Sequence, residues 1–201
     1  MHPNKAFDWT SSEEMLEFAS REAFAHIFTA SENGPFVVHA PILVREGKVW
    51  FHVARRNRIA DHLADRRVLI SIASRDGYHS ANWYASANQV STWHYEAVEI
   101  EGEAHALSDD ELVQLLDALS DTMEGRYSAE QPWTRAKMDP GKFEAMTKTI
   151  VGFEVVPDDI RGTRKFNQHK TGADLEASVE GQLGAGRDDI VAAMRELTSG
   201  R

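Results

Sequence analysis

Phe36-Val37-Val38-His39-Ala40-Pro41-Ile42-Leu43-Val44-Arg45-Glu46-Gly47-Lys48-Val49-Trp50-Phe51-His52-Val53-Ala54 is the stretch that decides the fold. Two runs rich in β-branched and aromatic residues, Phe36 to Val44 and Lys48 to Ala54, flank a tight Arg45-Glu46-Gly47 turn. That is the sequence form of an antiparallel hairpin. Upstream, Phe24 to Ala30 reads as another strand, set off by the turn residues Glu32-Asn33-Gly34-Pro35. Downstream, Arg58 to Ala64 predicts a short helix and Val68 to Ala73 an apolar strand. After a polar segment, Ser74 to Asn88, a long strand is predicted over Val90 to Ala106. Its second half alternates, with Val98, Ile100, Gly102, Ala104 and Ala106 facing away from Glu99, Glu101 and Glu103.

Helices frame these strands. Ser11 and Glu14 have capping-box spacing at the head of a first helix, and Ser108 and Glu111 at the head of a second that reaches about Met123. Pro140 opens a short helix that continues through Lys142 to Lys148, and Thr149 to Val156 is a last strand ended by Pro157. From Thr171 the chain turns polar and helical, interrupted by Gly181, Gly184 and Gly186. Hairpins dominate and βαβ alternation is absent. The expected fold is therefore mainly β with helices, an antiparallel barrel rather than a doubly wound sheet. The expected division is a barrel domain over residues 1–170 and a C-terminal helical appendage over 171–201.

Composition narrows the function classes. The chain has 201 residues, 42% of them hydrophobic and 27% charged, as in an ordinary globular protein. It has no cysteine, which excludes disulfides, thiolate metal sites and cysteine nucleophiles and suits a reducing cytoplasm. Neither a signal-peptide h-region nor an apolar stretch of the ~20 residues that span a bilayer is seen. The formal charge of −10 repels nucleic acid and anionic membranes unless a local basic face overcomes it. A small anionic ligand instead feels mainly the groups that line its pocket.

Several motifs are absent: a Gly-x-Gly-x-x-Gly after a strand, a Walker A loop, His-Glu-x-x-His and Gly-x-Ser-x-Gly. Gly181-Gln182-Leu183-Gly184-Ala185-Gly186 follows a helical pattern and reads as a loop or helix break. His26, His39 and His52 fall on three predicted strands, but no carboxylate or further histidine has ligand spacing nearby, so no metal site is expected.

Three clusters carry more weight. In His52-Val53-Ala54-Arg55-Arg56-Asn57-Arg58 a strand gives way to a predicted helix, and arginines beside free backbone N–H groups suit a phosphate. The same arginines equally suit a solvated turn that pairs with the surplus carboxylates. Thr92-Trp93-His94-Tyr95 puts Trp93 and Tyr95 on one strand face, either as a flat wall for a ring system or as core. Arg164-Lys165-Phe166-Asn167-Gln168 supplies cations and amides, for a ligand's polar edge or for a surface loop.

Together these residues resemble the PaiB-type family of FMN-binding negative transcriptional regulators, of the flavin-binding split β-barrel superfamily, over about Asn4 to Lys170. The resemblance runs through Pro35-Phe36-Val37-Val38-His39-Ala40-Pro41, His52-Val53-Ala54-Arg55-Arg56-Asn57 and Trp83-Tyr84. It continues through Val90-Ser91-Thr92-Trp93-His94-Tyr95, Ile150-Val151-Gly152-Phe153-Glu154 and Lys165-Phe166-Asn167-Gln168-His169-Lys170. It implies a six-stranded antiparallel split barrel that forms a homodimer and binds one FMN per subunit at the interface. His52, Ala54, Arg55 and Asn57 belong to the implied site, the last three at the phosphate, while His39, Ala40 and Pro41 would lie along the ring. Thr92, Trp93 and Tyr95 would come from the partner subunit, and Lys165 and Gln168 would close the site. A cation such as Lys165 beside the ring's pyrimidine edge would favour its reduced, anionic form. The chain departs from the family pattern at Asn82, Ser91, His94, Asn167, His169 and Lys170.

Three functions remain open on these grounds. One is a flavin-binding protein, with or without FMN-dependent oxidoreductase activity. The second is a DNA-binding regulator, which the charge and the lack of a helix-turn-helix disfavour. The third is a haem protein with His94 or His169 as axial ligand.

Overall fold

The computed structural model describes residues 1–32 and 34–199. Its strands are β1 (Asp8–Trp9), β2 (Phe24–Ser31), β3 (Gly34–Arg45), β4 (Lys48–Ala54), β5 (Arg66–His79), β6 (Thr92–Ala106), β7 (Ile150–Val155) and β8 (Asp159–Lys165). Its helices are α1 (Ser12–Glu22), α2 (Asp109–Tyr127), α3 (Lys142–Thr147), α4 (Gly172–Gly184) and α5 (Asp188–Thr198). None is long and apolar enough to cross a membrane among the described residues. The chain forms two compact units, one of residues 12–72 and 99–160, the other of 1–11, 73–98 and 161 onward. β5, β6 and β8 contribute to both.

In the first unit the strand order β6-β5-β2-β3-β4-β7 returns on itself, because β7 also pairs with β6. Six strands thus close a ring, and the pairings β2–β3, β2–β5, β3–β4, β4–β7 and β6–β7 are antiparallel. This is the expected architecture. The hairpin between β3 and β4 turns at Glu46 and Gly47, with φ of 54° and 77°. Two successive positive φ values give the turn whose twist matches the strands it joins. Alternate residues fill the ring, among them Ile27, Ala40, Ile42, Val49, Phe51, Ile70, Ile100, Phe153 and Val155. The rings of Phe51 and Phe153 stack at 5.5 Å. β4 is covered on its outer side too, where Trp50 packs with Leu112 and Leu115 of α2. α2 begins with the full Ser108–Glu111 capping box and runs to Tyr127, one turn past its expected end.

In the second unit β1 pairs with β8 through Asp8–Thr163 and Trp9–Gly162. Phe166, Ile190, Ala193 and Met194 make its core, with Leu175, Val179 and Leu197 packed around them. Gly181 lies inside α4 rather than in a break. A Cβ there would meet the Trp83 ring at 2.4 Å, so the close approach of helix and indole needs glycine.

Three local expectations are corrected. Arg58 to Ala64 is not a helix but a series of turns around a three-residue 3-10 segment, Ala60–His62. Asn57 Oδ1 accepts the Ile59 N–H, and the turn ends at Asp65, whose φ is 55°. β5 does not stop at Ala73 but runs to His79, because its polar residues find partners. Arg75 binds the carboxylate of buried Glu96 through two hydrogen bonds of 2.7 and 3.1 Å. β8 was not expected, because its sequence, Asp-Ile-Arg-Gly-Thr-Arg-Lys, carries almost no apolar pattern.

Candidate functional site

In the first unit the predicted phosphate residues lie where β4 and β7 end side by side, with Ala54 opposite Ile150. One step further, the Arg55 N–H donates to Thr149 O at 2.9 Å, and Arg55 Nε donates to Lys148 O at 3.1 Å. The Asn57 N–H donates to Ala54 O. The backbone donors of Arg55 and Asn57 are therefore spent, the first on Thr149 at the head of β7 and the second within the turn, contrary to the helix-terminus expectation. What the turn offers a ligand is the rest of the Arg55 guanidinium, Arg56, Arg58 and the Asn57 amide. Arg55, Arg56 and Lys148, with Ala54 and Thr149, line a cleft of about 520 Å³. A neighbouring cleft of about 340 Å³ is lined by Arg55, Asp61, Ala60, Ala64, Ala106, Val151 and Phe153.

Arg55, Arg56, Arg58 and Lys148 make no ion pair among the described residues. This run is solvent-exposed, and the surplus carboxylates make no ion pair with it among the described residues. Arg58 instead lies over the Phe36 ring at 5.1 Å. Nearby in sequence, the partly buried His52 has its Nδ1 shut from solvent without a partner, and burial lowers its pKa. Of the predicted ring residues, His39 is exposed and meets His26 edge-on at 4.5 Å, Ala40 points into the ring of strands, and Pro41 is half-buried. His26 and His39 are opposed in register, whereas His52 lies opposite Gly152. Among the described residues these three histidines do not all bring their ring nitrogens within 4.8 Å of one another.

In the second unit Lys165 Nζ donates to Thr92 Oγ1 at 2.6 Å, so two predicted residues seventy-three positions apart do meet. Burial lowers the Lys165 pKa. Trp93 is 51% exposed and donates from Nε1 to Asp76 Oδ1 at 2.8 Å. Trp93 and Tyr95 are not core, because the inward face of β6 here carries His94 and Glu96, both fully buried. Gln168 is buried, with its oxygen accepting the Phe166 N–H and its nitrogen donating to Ala6 O and Arg164 O. Its amide holds the turn after β8.

The departures from the family pattern acquire physical reasons here. Ser91 Oγ accepts from Tyr78 Oη and from the Ala81 N–H, at 2.8 and 3.1 Å, so its hydroxyl fixes the loop before β6. Asn167 has φ of 60°, a region asparagine tolerates better than serine, and its amide meets Tyr84 Oη and Ser178 Oγ. His94 stacks on His79 at 4.7 Å and packs against Phe166. The Gln182 amide nitrogen lies 3.2 Å from His79 Nδ1 and 3.5 Å from His94 Nδ1. Burial is the main cause that lowers the pKa of His79 to about 4 and of His94 to about 3. Sequence reading missed His79, Ser178 and Gln182 altogether. The signal for them is tertiary, since α4 supplies the amide.

Residues 1–159 match the family described as "Putative FMN-binding domain". Among curated proteins, the chain is 26% identical over 185 residues to the protease synthase and sporulation protein PAI 2 of Bacillus subtilis (strain 168), covering 90% of this chain and 88% of that one. Among solved structures it is similar to an FAD and haem binding protein from Mycobacterium smegmatis, with a TM-score of 0.60, 17% identity, and coverage of 79% and 73%. It is also similar to the flavocytochrome Anf3 from Azotobacter vinelandii, with a TM-score of 0.62, 14% identity, and coverage of 86% and 73%. At these identities the two structures establish the likeness of fold.

Proposed function

The chain belongs to the FMN-binding domain family, and from that premise we propose that it is a cytoplasmic flavoprotein that holds FMN in a homodimer. The observation that carries this reading is the unpaired cationic turn at Arg55–Arg58 in a protein of formal charge −10. FMN's phosphate carries nearly two negative charges and prefers guanidinium and amide donors, which Arg55 and Asn57 supply. His52 adds a buried ring nitrogen without a protein partner. His39 and Pro41 line the approach to the flavin ring, where Ala40 offers only its backbone because its side chain is buried in the barrel core, and Thr92, Trp93 and Tyr95 reach the flavin from the partner subunit. Lys165, which donates to Thr92 of its own chain, comes with it from the partner subunit and places its charge at the pyrimidine edge. Gln168 acts by fixing the turn that carries Lys165.

When bound, FMN supplies the capacity to accept and release two electrons. The residues described here bind and orient it and set the electrostatics of its edge. They name no substrate acid or base, so the reading is of a flavin-binding protein with redox capacity.

Arg55→Ala is expected to weaken FMN binding by roughly 10- to 100-fold, the worth of a charge-assisted contact. Fluorescence quenching of FMN measures this, and size-exclusion chromatography shows whether the dimer persists. An unchanged dissociation constant refutes the phosphate assignment. Lys165→Met is expected to lower the two-electron potential of bound FMN by roughly 30 mV or more, which is a factor of ten in the equilibrium. Spectroelectrochemistry reads it, and an unmoved potential removes Lys165 from the pyrimidine edge.

A further inference from the structure

The cationic run is larger than one phosphate monoester requires. Arg55, Arg56 and Lys148 face one cleft of about 520 Å³, and Arg58 follows in the same turn. Four unpaired cations held together repel one another, and the protein leaves them so despite ten more acidic than basic residues. The two walls are not accidental neighbours. Arg55 bonds to Lys148 O through its side chain and to Thr149 O through its backbone. Lys148 follows α3 immediately, and the Thr149 hydroxyl and N–H both return to Met146 O, which fixes where that backbone turns. Lys148 therefore faces the cleft from an element distant in sequence from Arg55 and Arg56. The one carboxylate in the adjoining cleft, Asp61, lines it with Arg55 and apolar residues and makes no ion pair among the described residues.

Resting on the flavin reading, we propose that Arg56 and Lys148 form a second anion subsite in this cleft. It takes the phosphate of a phosphorylated small molecule that binds alongside FMN. Arg55 and Asn57 hold the flavin phosphate, and Arg56 and Lys148 hold that of the co-substrate. The chemical class is a phosphate ester or diphosphate, recognised by point charge and guanidinium donors. Both side chains are solvent-exposed and leave the core untouched, so their removal does not threaten the fold.

The test is calorimetric titration of the FMN-loaded, full-length protein with inorganic pyrophosphate at low ionic strength. Pyrophosphate is expected to bind without displacing FMN. Lys148→Ala is expected to weaken it about tenfold while FMN affinity stays within twofold, and Arg56→Ala is expected to weaken it about tenfold as well. Release of FMN by pyrophosphate would show that the cleft is the flavin's own phosphate seat, and overturns the proposal. Absence of binding, or binding indifferent to Lys148 and Arg56, overturns it as well. If the wild-type protein fails to take FMN, the flavin reading falls by itself. Lys148-dependent binding of pyrophosphate to the bare protein then still sustains the anion subsite, and its absence sinks both.

Discussion

The folded protein is expected to lose on the order of 5 kcal/mol of stability between pH 6.5 and pH 4, the interval over which His79 and His94 stay neutral in the fold. In the unfolded chain each imidazole takes up a proton near its ordinary 6.5. In the fold His79 resists until about 4 and His94 until about 3, chiefly because burial penalises the cation. The unfolded state thus binds more protons below pH 6.5, so stability is full above that pH and falls as acid is added. Every charged neighbour acts in the same direction. Lys170 lowers the pKa of His79, while His79, Lys165 and His169 lower that of His94. Only the hydrogen bond with Asn167 favours the His94 cation. Two protons excluded together correspond to roughly 2.7 kcal/mol per pH unit. His94→Asn is expected to remove about half of that slope, measured as urea-unfolding free energies at pH 7, 5.5 and 4.5. The comparison with wild type cancels the carboxylates, which titrate in both proteins. If the two slopes are equal, the buried pair does not govern acid stability.

This pair also shows where sequence reading stops. β2, β3, β4 and β7 were legible as apolar, β-branched runs bounded by turn residues, and the second half of β6 because its apolar residues recur at a strand's period against a solvated face. The first half of β6 reverses that logic. Trp93 and Tyr95 look like the residues to bury, yet His94 and Glu96 are the ones inside. A buried polar residue is stable only with partners, and here these come from β5, β8 and α4, none of them a chain neighbour of His94 or Glu96. The same applies to the second half of β5, where Arg75 looks like a loop residue until Glu96 is known to be its partner. In the candidate site, the cationic turn was legible as composition, but the spent N–H groups of Arg55 and Asn57 were not, because turn geometry decides them. Lys148 was invisible as a site residue, since only the pairing of β4 with β7 carries it to Arg55.

Glu96→Ala is expected to destabilise the protein by about 3–5 kcal/mol, the cost of stripping a buried ion pair of one partner. Glu96 is fully buried, and two guanidinium groups converge on it. Arg75 forms the near-parallel pair of hydrogen bonds, and Arg164 Nε lies 3.6 Å from Oε2. Both arginines are largely enclosed as well, Arg164 against the Trp9 ring at 3.5 Å and Arg75 near Phe166. With the carboxylate gone, two largely enclosed cations lose their buried counter-charge, while Glu196, 3.6 to 3.7 Å from each, is 53% exposed. Water screens that contact, so it cannot replace a buried charge. Glu196→Ala is accordingly expected to cost no more than ~1 kcal/mol. At roughly 2–4 °C per kcal/mol for a chain of this size, Glu96→Ala lowers the melting temperature by about 6–20 °C, and Glu196→Ala by no more than about 4 °C. Calorimetric melting of the two variants decides between a buried carboxylate that organises the unit and one that merely accompanies its arginines. Equal shifts would mean that the exposed glutamate shares the charge balance, and that the burial of Glu96 has no energetic consequence of its own. The outcome bears on the flavin site too. Arg164 immediately precedes Lys165 on β8, so a unit loosened at Glu96 would also lose the fixed Lys165–Thr92 contact that the proposed pyrimidine edge depends on.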